Sequence, residues 1–198
     1  MSELMTHEQI LAALEEVQAV RKGHFVLTSG RHSDTYIQCA RILEYPRLTR
    51  ELARVAVSKL PADANINLVV SPAVGGILYG FAVADVLDVN FIFAERESGT
   101  MVFRRSFQIP QGARVLVCED VVTTGGSVKE VCNLIEQAGG IVVAVSSLID
   151  RGGERKFSHP FYPLVELPTA SWAAEDCHLC EAGIPTYSPG SRRLNEAR

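Results

Sequence analysis

The sequence predicts an α/β fold, a mainly parallel twisted sheet flanked by helices, and three observations predict it. Strand and helix patterns alternate over residues 67–149, the arrangement that joins parallel strands through helical crossovers. The strands are unbroken apolar runs such as Val115-Leu116-Val117 and Ile141-Val142-Val143, as expected where both faces of a sheet are covered. Two of these strands run directly into loops of small residues that open helices, and in open α/β sheets ligands bind beyond the carboxyl ends of strands.

The elements follow in order. Residues 8–20 repeat Ile10, Leu11, Leu14, Val17 and Val20 at helical spacing, and Gly23 is the expected stop. Residues 24–37 read as a hairpin: Phe25-Val26-Leu27, a turn over Ser29-Gly30-Arg31-His32-Ser33, then Thr35-Tyr36-Ile37. A helix over 46–60 begins on Pro46, which is favourable in a first turn. There follow a strand over 67–71, a helix over 76–87 and strands over 90–94 and 115–119. A helix over 127–138 stops at Gly139-Gly140 before a strand over 141–149. Residues 96–111 have little regular pattern, and irregular segments of this length often serve as lids. From residue 151 the pattern loosens around five prolines, and 154–198 reads as a small cap with one strand over 162–167. The chain is therefore expected to be one domain over 1–198. Its core spans about 46–150, its hood about 20–40 and 151–198, and its mobile lid about 96–110.

Composition narrows the function. The 198 residues carry 19 basic and 23 acidic side chains, a net charge of −4 that argues against general nucleic-acid binding. No apolar run approaches a membrane span, and the first residues lack the apolar stretch of a signal peptide. The five cysteines are an odd number, and Cys118 and Cys132 fall inside core elements. That usage fits free thiols in a reducing cytoplasm. Cys177-His178-Leu179-Cys180 offers two metal ligands, with His178 as a candidate third, where a tetrahedral zinc site needs four. Packed or solvent-facing thiols are the favoured reading of that segment.

The chemistry is concentrated in residues 115–127. Glu119 and Asp120 stand at the end of an apolar strand, and Val121-Val122-Thr123-Thr124-Gly125-Gly126-Ser127 leads from them into a helix. Backbone N–H groups at such a helix start, with the positive end of the helix dipole, hold an anion. Two carboxylates beside a phosphate cradle suit a phosphorylated sugar, whose hydroxyls donate to the acids. The loop has neither the lysine of a P-loop nor the spaced glycines of a dinucleotide fingerprint. Ser71-Pro72-Ala73-Val74-Gly75-Gly76 is a second strand–loop–helix unit of the same kind. Arg96, Arg104 and Arg105 in the irregular segment suit a diphosphate, which guanidinium groups grip in bidentate fashion.

Residues 115–127 closely resemble the phosphoribosyl-pyrophosphate (PRPP) signature of type I phosphoribosyltransferases. The resemblance implies that family's fold and assigns the ribose hydroxyls to Glu119 and Asp120. It assigns the 5′-phosphate to the loop of Val121, Val122, Thr123, Thr124, Gly125, Gly126 and Ser127, and the pyrophosphate to Ser71, Ala73, Gly75 and Gly76 with Arg96. Residues 25–33 with Tyr36, and Ile149-Asp150-Arg151, further resemble the base-binding motifs of orotate phosphoribosyltransferases. That likeness covers about residues 20–190 and implies that Thr28, Ser29, Gly30, Tyr36, Thr123 and Arg151 bind orotate. An apolar platform and a cation match a flat pyrimidine carboxylate. The resemblance implies catalytic roles for Arg96, Arg104, Arg105 and Asp120, and Mg²⁺ held mainly by PRPP rather than by the protein. It also implies a cytoplasmic homodimer whose lid reaches the neighbouring site. Many family members carry lysines where this chain has Thr28, Gly75 and Thr100, and only Arg96 of the family's basic lid run is present. With Ala94-Glu95-Arg96-Glu97 before the lid and the late Cys-x-x-Cys, the chain is similar to a divergent bacterial and archaeal branch. Another base, or a non-catalytic PRPP sensor, is the alternative these departures leave open.

Overall fold

A computed structural model describes residues 3–27 and 29–189. Helix α1 (His7–Glu16) is opened by a capping box in which the Thr6 hydroxyl accepts from the Gln9 amide and the Gln9 side chain accepts from the Thr6 amide. It ends earlier than its apolar spacing suggests, because Gln18 turns the chain at φ 57°. Strands β1 (Val20–Val26) and β2 (His32–Ile37) then form an antiparallel hairpin. Gly23 is not a helix stop: it lies inside β1, where the register slips between Lys22 and Phe25, and a Cβ there would stand 3.1 Å from the Phe25 ring.

The short helix α2 (Ala40–Leu43) and α3 (Pro46–Ser58) follow, then β3 (Leu68–Pro72), α4 (Gly76–Leu87) and β4 (Asn90–Glu97). The chain continues through β5 (Thr100–Phe103), β6 (Arg114–Val122), α5 (Gly126–Gln137), β7 (Ile141–Asp150) and β8 (Phe161–Glu166). A 3₁₀ turn (Ala174–Asp176) and α6 (His178–Glu181) lie near the end. The six-stranded sheet has the order β5-β4-β3-β6-β7-β8, all parallel except β5.

Two differences from the sequence reading matter. The segment after residue 96 is not irregular: β4 runs on to Glu97 and turns through Ser98-Gly99 into β5, pairing Glu97 with Thr100. The strand of the expected cap belongs instead to the main sheet, with β8 parallel to β7 along its edge. Its prolines mask the pattern, and Pro163 is tolerated because an edge strand leaves one side of its backbone unpaired.

The strands bury both faces. Along β6, Val115 and Val117 pack with Val128, Val131 and Ile135 of α5, while Leu116 and Cys118 pack into the opposite layer with Leu52, Tyr79 and Leu148. The same alternation in β3 sends Val70 to one side and Val69 to the other. Helix α4 approaches β3 most closely at Gly80, where a Cβ would collide with the Ser71 hydroxyl and the Phe91 ring. Gly80→Ala is therefore expected to lower stability by about 1–3 kcal/mol through overpacking, read from urea denaturation. An unchanged midpoint would show that α4 can shift away from the sheet at no cost.

Candidate active site

The strand order reverses direction between β3 and β6, since the chain moves from β3 to β4 on one side and later returns to place β6 on the other. That switch point opens a crevice at the carboxyl ends of the two strands. The glycines of the first loop close it. A Cβ on Gly75 would stand 2.5 Å from Oδ2 of Asp120, and one on Gly76 would stand 2.9 Å from the Cys118 carbonyl and 3.0 Å from Oε1 of Glu119. Glycine at 76 lets the loop after β3 lie against the backbone of β6, and glycine at 75 leaves room for the Asp120 carboxyl where it stands. Ser71 supports this packing from below: it is wholly buried, under Gly80, and its hydroxyl does not face the crevice. Ala73 fixes the loop to β4 by donating its N–H to the Ala94 carbonyl at 2.7 Å.

Glu119 and Asp120 lie within the last part of β6, half-buried. The Asp120 amide donates to Oε1 of Glu119 at 3.1 Å, and the Val121 amide to Oδ1 of Asp120 at 2.9 Å. Burial pushes the Glu119 carboxyl well above the usual carboxylate range, and the negative charge of Asp120 pushes it further. The pair is thus short of positive partners, and a cation or hydroxyl donors in the crevice would favour its ionised form.

Val121 and Val122 complete β6 and turn their side chains into the two cores, so only their backbones reach the loop. Thr123 and Thr124 are exposed, and Gly125, at φ 69°, turns the chain into α5. No side chain caps that helix, and the first amides of any helix lack intrahelical acceptors. The N–H groups of Gly126 and Ser127 are thereby set out as an anion cradle. The loop rests on residues 151–157: Arg151 N–H donates to the Val122 carbonyl, Lys156 N–H to the Thr124 carbonyl, and the Phe157 ring fills the space beside Gly125.

Beside this cradle lies an open pocket of about 710 Å³ lined by Leu27, Ser29, Thr123, Arg151, Thr169 and Ser171 among others. It brings the β1–β2 turn, the phosphate loop and Arg151 to one place. Asp150 shapes the turn that carries Arg151, accepting from Gly152 N–H at 2.9 Å and from Arg155 at 2.7 Å. The Arg151 guanidinium donates to the Thr169 hydroxyl from Nε at 3.1 Å and Nη2 at 2.9 Å. Burial pulls its pKa below the usual arginine value, yet an arginine stays charged in proteins. Gly30, at φ 77°, completes the tight turn, donating to the Leu27 carbonyl at 2.8 Å. Tyr36 packs its ring on Phe25 at 5.5 Å between centroids. Thr28 lies outside the described residues. The walls from Gly152, Gly153 and 168–171 escaped the sequence reading, although Gly152-Gly153 after a strand was a legible turn signal.

The three arginines stand on the β4–β5 hairpin and just beyond it, each exposed and each held by a carboxylate. Arg96 makes a bidentate pair with Glu130 at 2.9 and 3.0 Å, Arg105 one with Glu95 at 2.9 and 3.1 Å, and Arg104 meets Glu97 at 3.3 Å. These bonds hold the Glu95 and Glu130 carboxyls below their ordinary range.

A mainly parallel sheet with two glycine loops facing paired carboxyls, and a cation-lined pocket beside them, defines a sugar-phosphate transferase of the phosphoribosyl type. Residues 38–181 match the model of the phosphoribosyl transferase domain, and the chain belongs to the phosphoribosyltransferase family. The orotate phosphoribosyltransferase of Caldanaerobacter subterraneus subsp. tengcongensis is 46% identical over 191 residues, 96% of this chain and 100% of that protein. That of Thermotoga maritima is 46% identical over 182 residues, 91% of this chain and 97% of that protein. Among solved structures, orotate phosphoribosyltransferase from Aeropyrum pernix superposes with a TM-score of 0.69 at 27% identity, covering 80% of this chain and 93% of that one.

The raised Glu119 carboxyl has a measurable consequence. It binds its proton more tightly in the native state than in the unfolded chain. Its contribution to stability therefore falls as pH rises from the unfolded-chain value through the raised native one. Denaturation at about pH 5 and about pH 8 is expected to show a larger loss of stability for the wild type than for Glu119→Gln. Parallel pH profiles would mean that the carboxyl is not perturbed in the free protein.

Proposed function

We infer that this chain is an orotate phosphoribosyltransferase, forming orotidine 5′-monophosphate and pyrophosphate from orotate and PRPP in pyrimidine synthesis. The observation that carries the substrate is Arg151 in the wall of a pocket that is also lined by Thr123 of the glycine-rich loop. A planar base with a carboxylate seated against Arg151 lies next to a ribose whose phosphate occupies the cradle of residues 123–127. The relatives that match over nearly the whole chain carry the same activity in their names.

The chemistry is substitution at ribose C1: a ring nitrogen of orotate, already ionised, forms the new C–N bond as the C–O bond to pyrophosphate breaks. Glu119 and Asp120 hold the ribose hydroxyls and place negative potential beside the carbon on which positive charge grows. Pyrophosphate rests on the backbone of residues 73–76. The paired carboxyls fit a donor that arrives with a divalent cation, because among the described residues no basic side chain bonds to Glu119. Mg²⁺ carried by PRPP would neutralise the charge gathering on the leaving group. Arg96, Arg104 and Arg105 would exchange their glutamate partners for diphosphate oxygens, which for Arg96 and Arg105 replaces one bidentate anion by another. The β4–β5 hairpin then acts as the lid and excludes water from the reacting carbon.

Val74, Leu78 and Phe81 on α4 and the loop before it are exposed at 82%, 54% and 61%. An apolar strip of that kind beside the pyrophosphate loop supports a homodimer, and the free cysteines support a cytoplasmic setting. Light scattering is expected to give twice the monomer mass, and a monomer at micromolar concentration would exclude a shared lid. For the activity, loss of orotate absorbance should require both PRPP and Mg²⁺. Asp120→Asn is expected to lower kcat/KM by roughly tenfold or more through loss of a charge-assisted hydrogen bond. Arg151→Ala should raise the KM for orotate, whereas Arg105→Ala should reduce kcat with little change in that KM. Orotate left unconsumed while PRPP binds would point to another base.

A further inference from the structure

The Cys-x-x-Cys segment has a set of partners that its neighbours in sequence do not supply. His178 is not among them, since it packs edge-on against Trp172 with centroids 4.6 Å apart. Instead the β1–β2 hairpin brings His24 and His32 to Cys177 and Cys180, and one ligand atom from each of the four lies within 4.8 Å of all the others. Nε2 of His24 and Nδ1 of His32 are 2.8 Å apart. Cys177 Sγ stands 3.4 Å from His24 Nε2, and Cys180 Sγ stands 3.7 Å from His24 Nε2 and 3.3 Å from His32 Nδ1.

From these contacts we propose a structural zinc site of the Cys₂His₂ class, formed by His24, His32, Cys177 and Cys180. Bond lengths of about 2.05 Å to nitrogen and 2.3 Å to sulfur give a tetrahedron with N···S edges of about 3.6 Å and an N···N edge of about 3.3 Å. The observed N···S distances of 3.3, 3.4 and 3.7 Å bracket the first value. The imidazoles need separate by only about half an ångström to meet the second. His24 is already oriented as a ligand: its Nδ1 lies 2.7 Å from the Ile184 carbonyl. That contact places the ring proton on Nδ1 and leaves the Nε2 lone pair facing the cluster. Two thiolates and two imidazoles are the donor set that zinc selects among common divalent ions. Binding would release one proton from each thiol and leave the centre neutral, which suits the burial of His24, His32 and Cys177. Exposed Cys180 gives the ion a path in.

Four protein ligands leave no open position, so the site holds structure and does not perform catalysis. It joins the hairpin to a segment some 150 positions later in the chain. The same seam is sewn by backbone pairing of His32 with Trp172 and of Phe25 with Tyr187. Arg31 bonds to Ser171 and Ser33 to the Ala170 carbonyl, so the ion stands behind two walls of the Arg151 pocket.

The test is the metal content of the untagged full-length chain, purified without chelator and measured by mass spectrometry of the elements. About one zinc per chain is expected, with loss of the metal in Cys180→Ser and in the Cys177→Ser/Cys180→Ser double variant. Exchange for Co²⁺ should give the thiolate charge-transfer band and the intense visible bands of a tetrahedral ion, a signature independent of turnover. If the buried Cys177 variant does not fold, exposed Cys180 and the cobalt spectrum of the wild type still decide. A chain that holds no zinc and yields no such bands, or a Cys177–Cys180 disulfide in the native protein, would overturn the site. So would zinc retained in full by Cys180→Ser.

Discussion

Everything at the centre of this molecule depends on how closely the loop after β3 approaches the carboxyls at the end of β6. Gly75 and Gly76 make that approach possible by presenting no side chain to Asp120 and Glu119. The two parallel strands are neighbours in the sheet, so their loops are held at one fixed distance, and an anion site and an acidic site become a single crevice. A side chain at 76 would press on the Cys118 carbonyl, and one at 75 would displace the Asp120 carboxyl. The fold positions this junction through two-sided burial: Val69 and Val70, like Leu116 and Val117, anchor their strands from opposite faces.

Charge in the crevice is unbalanced by design of its surroundings. The acidic pair is held by backbone amides, among the described residues no basic side chain bonds to it, and burial pushes the Glu119 carboxyl well above the usual carboxylate range. Arg104 and Arg105, just beyond β5, meanwhile pair with Glu97 and Glu95 of β4, and Arg96 pairs with Glu130 of α5, all at the surface. Exposed pairs of this kind contribute little to stability, so their exchange for phosphate oxygens costs the fold little. The free protein thus pairs these arginines with surface glutamates and leaves Glu119 and Asp120 on backbone amides.

The sheet core and the acid-and-glycine loop were legible because each rests on a local pattern. An apolar run, two carboxyls, hydroxyls and glycines follow one another within residues 115–127. The limits of α4 were readable for the same reason, since Gly76 and the end of the apolar run mark them. What the sequence concealed is long-range or dependent on pairing. Residues 96–103 look irregular one by one, and they become a hairpin only because β4 offers an edge on which β5 can pair. The strand around Pro163 reads as loose cap until β7 fixes it as an edge. His24 and His32 gave no sign of their relation to Cys177 and Cys180, because no spacing rule spans that length of chain. The pocket beside Thr123 brings together the hairpin turn and Arg151, which the sequence offered as candidates, with Thr169 and Ser171, which came into view only with the fold.

The order in which the pocket is assembled follows from β8 and the seam behind it. A ribosome delivers the hairpin first, then both glycine loops, then Arg151, and only last the residues near 168–187 that close the base side. A nascent chain that has just released β7 would hold both glycine loops but lack residues 151–157, on which the second loop rests, and the pocket wall at 168–171. Contacts between the first strands and the last residues carry high contact order, and such contacts form late. The pocket beside Thr123 and Arg151 is therefore closed only after β8 has been made, by the residues at 168–171 that follow it.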